Sequence, residues 1–175
     1  MKKLMMIAAM MVAAISVNAQ NEVGQITLKP LVGINLADVT KTDGADMRVG
    51  LAAGVEAEYG VAEKFGVTAG VIYSMQGIKG GGETLKLDYI NIPILANYYV
   101  IPGLAIKAGV QPAFNVSDDD TEAKGFDLAI PVGASYEYKS FVLDARYNFG
   151  VTKIWDGVDC KNSVFQITLG YKFSL

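Results

Sequence analysis

The sequence predicts an all-β protein: an eight-stranded antiparallel up-and-down transmembrane β-barrel, preceded by a cleavable signal peptide. Three observations carry this prediction. Apolar and polar residues alternate with a period of two through most of the chain, as in strands with one apolar side. The connections between these segments are short and long in turn, as in outer-membrane barrels. The second stripe of each strand is rich in glycine and alanine, which a narrow barrel interior requires.

The composition excludes several classes of function. The 175 residues are 51% hydrophobic and only 19% charged, with a net charge of −3. The negative charge argues against nucleic-acid binding, which needs a basic face. The chain has no histidine and one cysteine, so histidine-dependent triads, histidine metal sites and an internal disulfide are excluded. The composition indicates no cofactor and no metal site.

Residues 1–19 have the pattern of an export signal. Lys2 and Lys3 precede an apolar run from Leu4 to Ile15, and small residues around Ala19 form a cleavage site. The apolar run is shorter than the roughly 20 residues that a membrane-spanning helix needs. We therefore predict cleavage after Ala19 and a single barrel domain over residues 20–175.

Eight segments of alternating residues predict the eight strands in chain order. In the last of them, the residues at alternate positions are all apolar, namely Phe165, Ile167, Leu169, Tyr171, Phe173 and Leu175. The eight segments are 26–36, 49–59, 65–75, 85–98, 104–114, 126–138, 141–151 and 165–175. In the fourth, Leu85 and Leu87 have the opposite parity to the rest, which predicts a phase slip near Asp88.

The connections alternate in length, which sets the two ends of the barrel. Short connections at 60–64, 101–103 and 139–140 are typical of periplasmic turns, and both termini fall at the same end. Longer, polar connections at 37–47, 77–83, 117–125 and 152–162 are predicted to be external loops.

The residues between the apolar ones decide which face is outside. Small residues dominate this second stripe: Gly50, Ala52, Gly54, Gly66, Gly70, Ala105, Gly109, Ala129, Gly133, Gly150 and Gly170. Charged residues share it: Lys29, Glu56, Glu58, Lys107, Asp127, Glu137, Asp144, Arg146 and Lys172. A water-facing stripe has no reason to be so small, whereas a filled lumen does. We therefore predict that the apolar stripe faces lipid and that the nine charges form a polar network in the lumen, with Arg146 at its centre. The alternative, a soluble lipocalin-like barrel that binds apolar ligands, places the apolar stripe inside.

Aromatic residues cluster at both ends of the predicted strands, as in the interfacial belts of membrane proteins. One band flanks the short turns and the carboxyl terminus: Tyr59, Phe65, Tyr98, Tyr99, Tyr136, Tyr138, Phe141, Tyr171 and Phe173. The other lies at the opposite ends: Tyr73, Tyr89, Phe114, Phe126, Tyr147, Phe149, Trp155 and Phe165.

Four segments resemble outer-membrane β-barrels of the PorT-like type, which are also grouped with porin-family proteins of Gram-negative bacteria. They are LDYINIPILANYYV, GLAIKAGVQPAFNV, DLAIPVGASYEY and the terminal VFQITLGYKFSL. The last resembles the aromatic-rich signal used by the barrel-assembly machinery, although the chain ends in Leu175 rather than the commoner phenylalanine. The resemblance implies an outer-membrane location, contacts with outer-membrane lipids, and that machinery as a partner during biogenesis. It supplies no catalytic residue.

The remaining motifs favour simple interpretations. Asp118, Asp119, Asp120 and Glu122 form an acidic loop, but the glycine and closing glutamate of a calcium loop are missing at the required spacing. The glycines at 80–82 lack the lysine of a phosphate loop, and the role of Cys160 stays open. No serine has an evident base partner, so we expect no enzymatic activity.

These observations lead to two hypotheses about function. The first is a non-enzymatic outer-membrane barrel with a structural or surface-interaction role, whose external loops meet an unknown protein or surface ligand. The second is a transport-related role, either as a minor small-solute channel or as an accessory barrel of a protein secretion system.

Overall fold

The computed structural model describes residues 22–39, 46–80, 83–116, 125–152 and 162–175. The predicted signal peptide and most of the external connections lie outside these ranges. The ten strand segments are β1 (Ile26–Val39), β2 (Asp46–Ala62), β3 (Phe65–Gly80), β4 (Glu83–Asn91), β5 (Ile94–Ile101), β6 (Leu104–Asn115), β7 (Phe126–Tyr138), β8 (Phe141–Gly150), β9 (Asn162–Tyr171) and β10 (Phe173–Ser174). Among the described residues there is no helix with the length and hydropathy needed to cross a membrane.

The ten segments form eight barrel strands. Segments β4 and β5 both lie between β3 and β6, so they are two parts of one strand. Segments β9 and β10 both pair with β1, so they are two parts of the last barrel strand. These pairings are antiparallel. Because β1 pairs with β2 on its other side, the sheet closes on itself. The predicted fold class, a closed eight-stranded antiparallel barrel, is confirmed.

The fourth barrel strand is interrupted at a proline rather than shifted in phase. The β3–β4 register runs without a break from Ile72 opposite Asn91 to Gly80 opposite Glu83, so the predicted slip near Asp88 is wrong. The interruption lies at Ile92 and Pro93, between β4 and β5. Proline has no backbone N–H for the ladder, but its carbonyl still accepts a bond from the amide of Gly70.

The short connections occur where they were predicted. Tight turns join β2 to β3, β5 to β6 and β7 to β8. Gly103 adopts a φ of +84° and Lys139 a φ of +58°, so two of these turns pass through the left-handed region that favours glycine. At the external end, β1, β2 and β3 extend into segments that were predicted to be loops. Backbone pairing there continues past the apolar stripe, and between β2 and β3 it reaches Asp46 opposite Lys79.

The apolar stripe lies on the outer surface of the barrel. Val32 is 59% exposed and Leu51 is 58% exposed, while the charged residues between such positions point inward and are buried. This arrangement excludes the lipocalin-like alternative, which needs the opposite orientation. A closed barrel with a continuous apolar exterior suits hydrocarbon, since closure leaves no unpaired strand edge.

Most of the predicted aromatic residues lie on this outer surface, at the strand ends. Near the short turns, the rings of Phe141 and Tyr171 meet edge to face with centroids 5.3 Å apart. At the opposite end, Phe114 and Phe126 pair in the same way at 5.6 Å. The predicted turn-side residues Tyr59, Phe65, Tyr98, Tyr136, Tyr138 and Phe141 are exposed, and Tyr171 and Phe173 are half-buried.

Two tyrosines were assigned to the aromatic bands incorrectly. Tyr89 is 1% exposed, and the hydroxyl of Tyr99 contacts lumen charges. The reason is parity: on this strand Ile90, Ile94 and Tyr98 face outward, so odd-numbered residues point inward. Trp155 lies outside the described residues.

Candidate functional site

Five charged side chains form one ion-paired cluster in the middle of the lumen, which we call the central cluster: Lys29, Glu56, Lys107, Asp144 and Arg146. The Arg146 guanidinium joins the two acids, with its Nη2 atom 2.8 Å from Glu56 and its Nε atom 2.9 Å from Asp144. Lys29 lies 2.7 Å from Glu56 and 3.8 Å from Asp144, and Lys107 lies 2.7 Å from Asp144. Each cation of the central cluster therefore has a carboxylate partner.

Strand register and glycines make room for the central cluster. Lys29 and Glu56 are direct cross-strand partners on β1 and β2. Gly133 on β7 lies between Lys107 on one neighbouring strand and Arg146 on the other. A Cβ atom at Gly133 would come within 2.8 Å of the Arg146 Cβ, and one at Gly70 within 2.6 Å of the Glu56 Cγ. The small residues of the inner stripe thus leave the volume that the long charged side chains fill.

The central cluster carries an excess positive charge in a dry environment. Its three cations face two carboxylates, and Glu56, Asp144 and Arg146 are each no more than 2% exposed. Removing charges from water is expensive, so such a cluster holds only when every member is paired. Its chemical role is therefore to fix the strands and fill the lumen.

A second group of charges, the turn-side cluster, lies toward the short turns: Glu58, Tyr99, Glu137 and Lys172. The Lys172 ammonium is 2.9 Å from Glu137 and 3.6 Å from Glu58. The Tyr99 hydroxyl donates a 2.6 Å hydrogen bond to Glu58. Two carboxylates face one lysine, so the excess charge of this cluster is negative.

Apolar side chains are buried in the lumen on the external side of the central cluster. Leu31, Ala52 and Ile72 form a buried group, and Ile72 is inaccessible to solvent. Leu31 lies two residues beyond Lys29 on β1, toward the external end. Ile72 lies two residues beyond Gly70 on β3, and Gly70 is the cross-strand partner of Glu56. Of these three, only Ala52 was predicted on the inner face, and Leu31 and Ile72 were missed because residues of inner parity were expected to be small or polar.

At the external end, polar side chains line a small cavity of about 10 Å³, which is room for about one water molecule. Asp127 is the acid in its wall, and its Oδ1 atom accepts hydrogen bonds from the Leu128 amide at 2.8 Å and from the Thr152 hydroxyl. Four buried amide side chains complete the polar lining: Gln76, Asn91, Gln111 and Asn148.

The structure places the nine predicted lumen charges inside the barrel but divides them. Five belong to the central cluster, three to the turn-side cluster, and Asp127 lies in the external cavity. Arg146 contacts both acids of the central cluster. The sequence prediction did not include the amide side chains that the structure buries in the lumen. In the sequence, their inner parity is the only feature that indicates this position. They are Asn35, Gln76, Asn91, Asn97, Gln111, Asn148 and Gln166.

Comparison with known families shows the family of this chain. The family described as outer membrane protein beta-barrel domain matches residues 18–156, which is most of the chain. Comparison with curated proteins gives no match.

Solved structures share the fold at low sequence identity. Ail, the attachment invasion locus protein of Yersinia pestis, is 16% identical with a TM-score of 0.55, over 87% of this chain and all of Ail. Neisserial surface protein A is 14% identical with a TM-score of 0.55, over 86% and 97%. OprG from Pseudomonas aeruginosa is 16% identical with a TM-score of 0.51, over 89% and 98%. One further structure of Ail, 20% identical with a TM-score of 0.52 over 87% of this chain and all of Ail, holds the heparin analogue sucrose octasulfate. At these identities the likeness shows the fold.

Proposed function

Because this chain belongs to the family of outer membrane protein β-barrel domains, we propose that it is a closed, non-enzymatic barrel of the outer membrane that presents its external connections to a surface partner. The observation that carries the proposal is the filled lumen together with the position of the connections. Ion pairs and apolar side chains occupy the interior, which leaves the external surface as the region able to meet a ligand. Outer-membrane lipids surround the barrel, and the aromatic residues at the strand ends anchor it at the two interfaces.

The charge of the external connections indicates the chemistry of the partner. Segments 40–45, 81–82 and 153–161 are each neutral, whereas 117–124 contains four acids and one lysine. Ail has been solved with a heparin analogue, which is a polyanion. An acidic surface repels polyanions and attracts cations, so the partner of this chain is a cationic protein or peptide surface.

Neutralising the acidic connection should abolish binding of a cationic probe. The variant replaces Asp118, Asp119 and Asp120 with asparagine and Glu122 with glutamine in the barrel reconstituted in nanodiscs. We expect wild-type protein to bind polylysine in a salt-dependent manner and the variant to bind at least about tenfold more weakly, because screened charge pairs supply the affinity. Surface plasmon resonance measures the affinity of each protein for polylysine.

The control variant neutralises Glu22 and Glu63 at the turn side and should bind as wild type does. Equal polylysine binding by all three proteins, or binding of sucrose octasulfate by the wild type, would contradict the proposal. We also propose that the signal peptide is cleaved after Ala19. Mass spectrometry of the protein isolated from outer membranes should therefore give the mass of residues 20–175.

The resemblance of four segments to PorT-like proteins supports an alternative proposal, in which the chain is an accessory barrel in protein secretion. An accessory barrel would contact secretion components at the turn side, whereas a surface protein uses the external connections. Recovery of a partner that depends on the turn at Lys139 and Ser140, and not on segment 117–124, would favour the accessory role. The barrel-assembly machinery is proposed as the partner during insertion.

The wild-type barrel should show no discrete conductance in planar lipid bilayers. The side chains of the central cluster and of the apolar group at Leu31 and Ile72 are buried in the lumen, and eight-stranded barrels are filled by their side chains. Arg146→Ala should also be silent, because the apolar group remains. A sixteen-stranded porin serves as the positive control, and discrete steps from the wild-type protein would establish the channel role instead.

A further inference from the structure

The turn between β7 and β8 has a lysine at a position that favours glycine. Tyr138 and Phe141 are the last cross-strand pair, so Lys139 and Ser140 form the connection. Lys139 has a φ of +58° and, among the described residues, is the only one besides glycines with a positive φ. Two-residue hairpin turns commonly place asparagine, aspartate or glycine at the first loop residue. A lysine retained at such a strained position suggests that its side chain has a function.

The Lys139 ammonium has no carboxylate partner among the described residues. Its printed-out neighbour in space is the ring of Tyr138, whose centroid lies 5.7 Å from the Nζ atom, within the range of a cation–π contact. The adjacent acid, Glu137, is buried in the lumen and binds Lys172 at 2.9 Å. Because Lys139 is exposed, its positive charge is available to a ligand outside the barrel.

The other two short turns do not present a net positive charge. In the β2–β3 turn, Lys64 is exposed beside the equally exposed Glu63, so the two charges offset each other. The β5–β6 turn consists of the uncharged Pro102 and Gly103. The positive charge on the short turns is therefore concentrated at Lys139.

The position of Lys139 along β7 places it at the membrane interface. Val132 lies midway between Phe126 and Tyr138, the aromatic residues at the two ends of this strand. Lys139 is seven residues beyond Val132. With a rise of about 3.3 Å per residue and a strand tilt of about 40°, this is about 18 Å from the middle of the membrane. The apolar band of such barrels is about 25 Å tall, so the ammonium reaches the headgroups of the turn-side leaflet.

We propose that the β7–β8 turn binds the headgroup of an anionic phospholipid in this leaflet, with the Lys139 ammonium on the phosphodiester and the Tyr138 ring beside it. An ammonium has three donors for the phosphate oxygens, and such charge-assisted bonds are strong. The single unpaired cation favours an anionic headgroup over a zwitterionic one, which brings its own cation. This inference goes beyond the proposed external partner and is independent of it, since it concerns the opposite end of the barrel.

Titration of phosphatidylglycerol into the detergent-folded full chain, followed by native mass spectrometry, measures the affinity. We expect wild-type protein to retain one phosphatidylglycerol in preference to phosphatidylcholine. Lys139→Gln should bind it about fivefold more weakly, the contribution of one lysine near an anionic lipid surface. Lys139→Arg keeps the charge and should bind nearly as wild type does. Lys64→Gln, which removes a cation from another short turn, is the matched control and should also bind as wild type does.

A second measurement separates lipid binding from the stability of the turn. In phosphatidylcholine vesicles, Lys139→Gly should raise the urea midpoint of unfolding, because glycine relieves the strained backbone. Adding phosphatidylglycerol should raise the midpoint of wild type more than that of Lys139→Gly, and inorganic phosphate should not reproduce this effect. Equal phosphatidylglycerol binding by wild type and Lys139→Gln, an equal loss in Lys64→Gln or Lys139→Arg, or a lower midpoint for Lys139→Gly in phosphatidylcholine would each overturn the proposal.

Discussion

Replacing Arg146 with alanine is expected to lower the free energy of unfolding by about 3–5 kcal/mol, because it removes two buried ion-pair contacts and leaves a cavity in place of a large buried side chain. The guanidinium bonds to Glu56 at 2.8 Å and to Asp144 at 2.9 Å, and both acids are 1% exposed. Without it, Glu56 and Asp144 each retain a lysine partner, but the group that joins the two acids is lost, together with the ion-pair contact of the Glu56 Oε1 atom.

Urea titration of the barrel in detergent measures this loss, with the different gel mobility of folded and boiled protein as the readout. Lys64→Ala is the matched control, because it removes a cation from an exposed turn, where single charges contribute about 0–1 kcal/mol. Arg146→Lys keeps the charge but cannot reach both acids in the same planar geometry, so its loss should be intermediate. Equal stability of Arg146→Ala and wild type would show that the central cluster does not hold the barrel together.

Placing an arginine at the middle of the outer face, by Val132→Arg, is expected to cost about 2–4 kcal/mol. Val132 is 43% exposed and lies on β7 midway between Phe126 and Tyr138, one from each aromatic band. In a bilayer this position is at the centre of the hydrocarbon layer, where a guanidinium cannot be hydrated without distorting the lipid.

Folding into phospholipid vesicles, followed by urea titration, measures the effect. Tyr138→Arg, near the interface, should cost no more than about 1 kcal/mol, because the penalty falls toward the headgroups. Val132→Leu should be close to neutral. If the arginines at positions 132 and 138 had equal effects, the outer stripe would not be facing lipid.

Much of the site was predictable from parity, and two assignments failed where parity was not applied. Alternation placed Lys29, Glu56 and Arg146 on the inner face, where the structure has them. Tyr89 and Tyr99 were assigned to the aromatic bands by their position near strand ends, whereas their parity places them inside, where the structure has them. The phase slip predicted near Asp88 is wrong because the β3–β4 register is continuous there, and the strand is interrupted at Ile92 and Pro93 instead.

The sequence by itself determined the barrel and its orientation: the period of two, the small inner stripe and the alternating connections each follow from residue type along the chain. Only the tertiary structure decided which charges meet. Lys107 and Asp144, or Lys172 and Glu137, are far apart in sequence and lie on strands whose register and curvature set their contact. The division into a central cluster, a turn-side cluster and an amide-lined cavity also depends on closure, because side chains from opposite walls become neighbours only when the last strand pairs with the first.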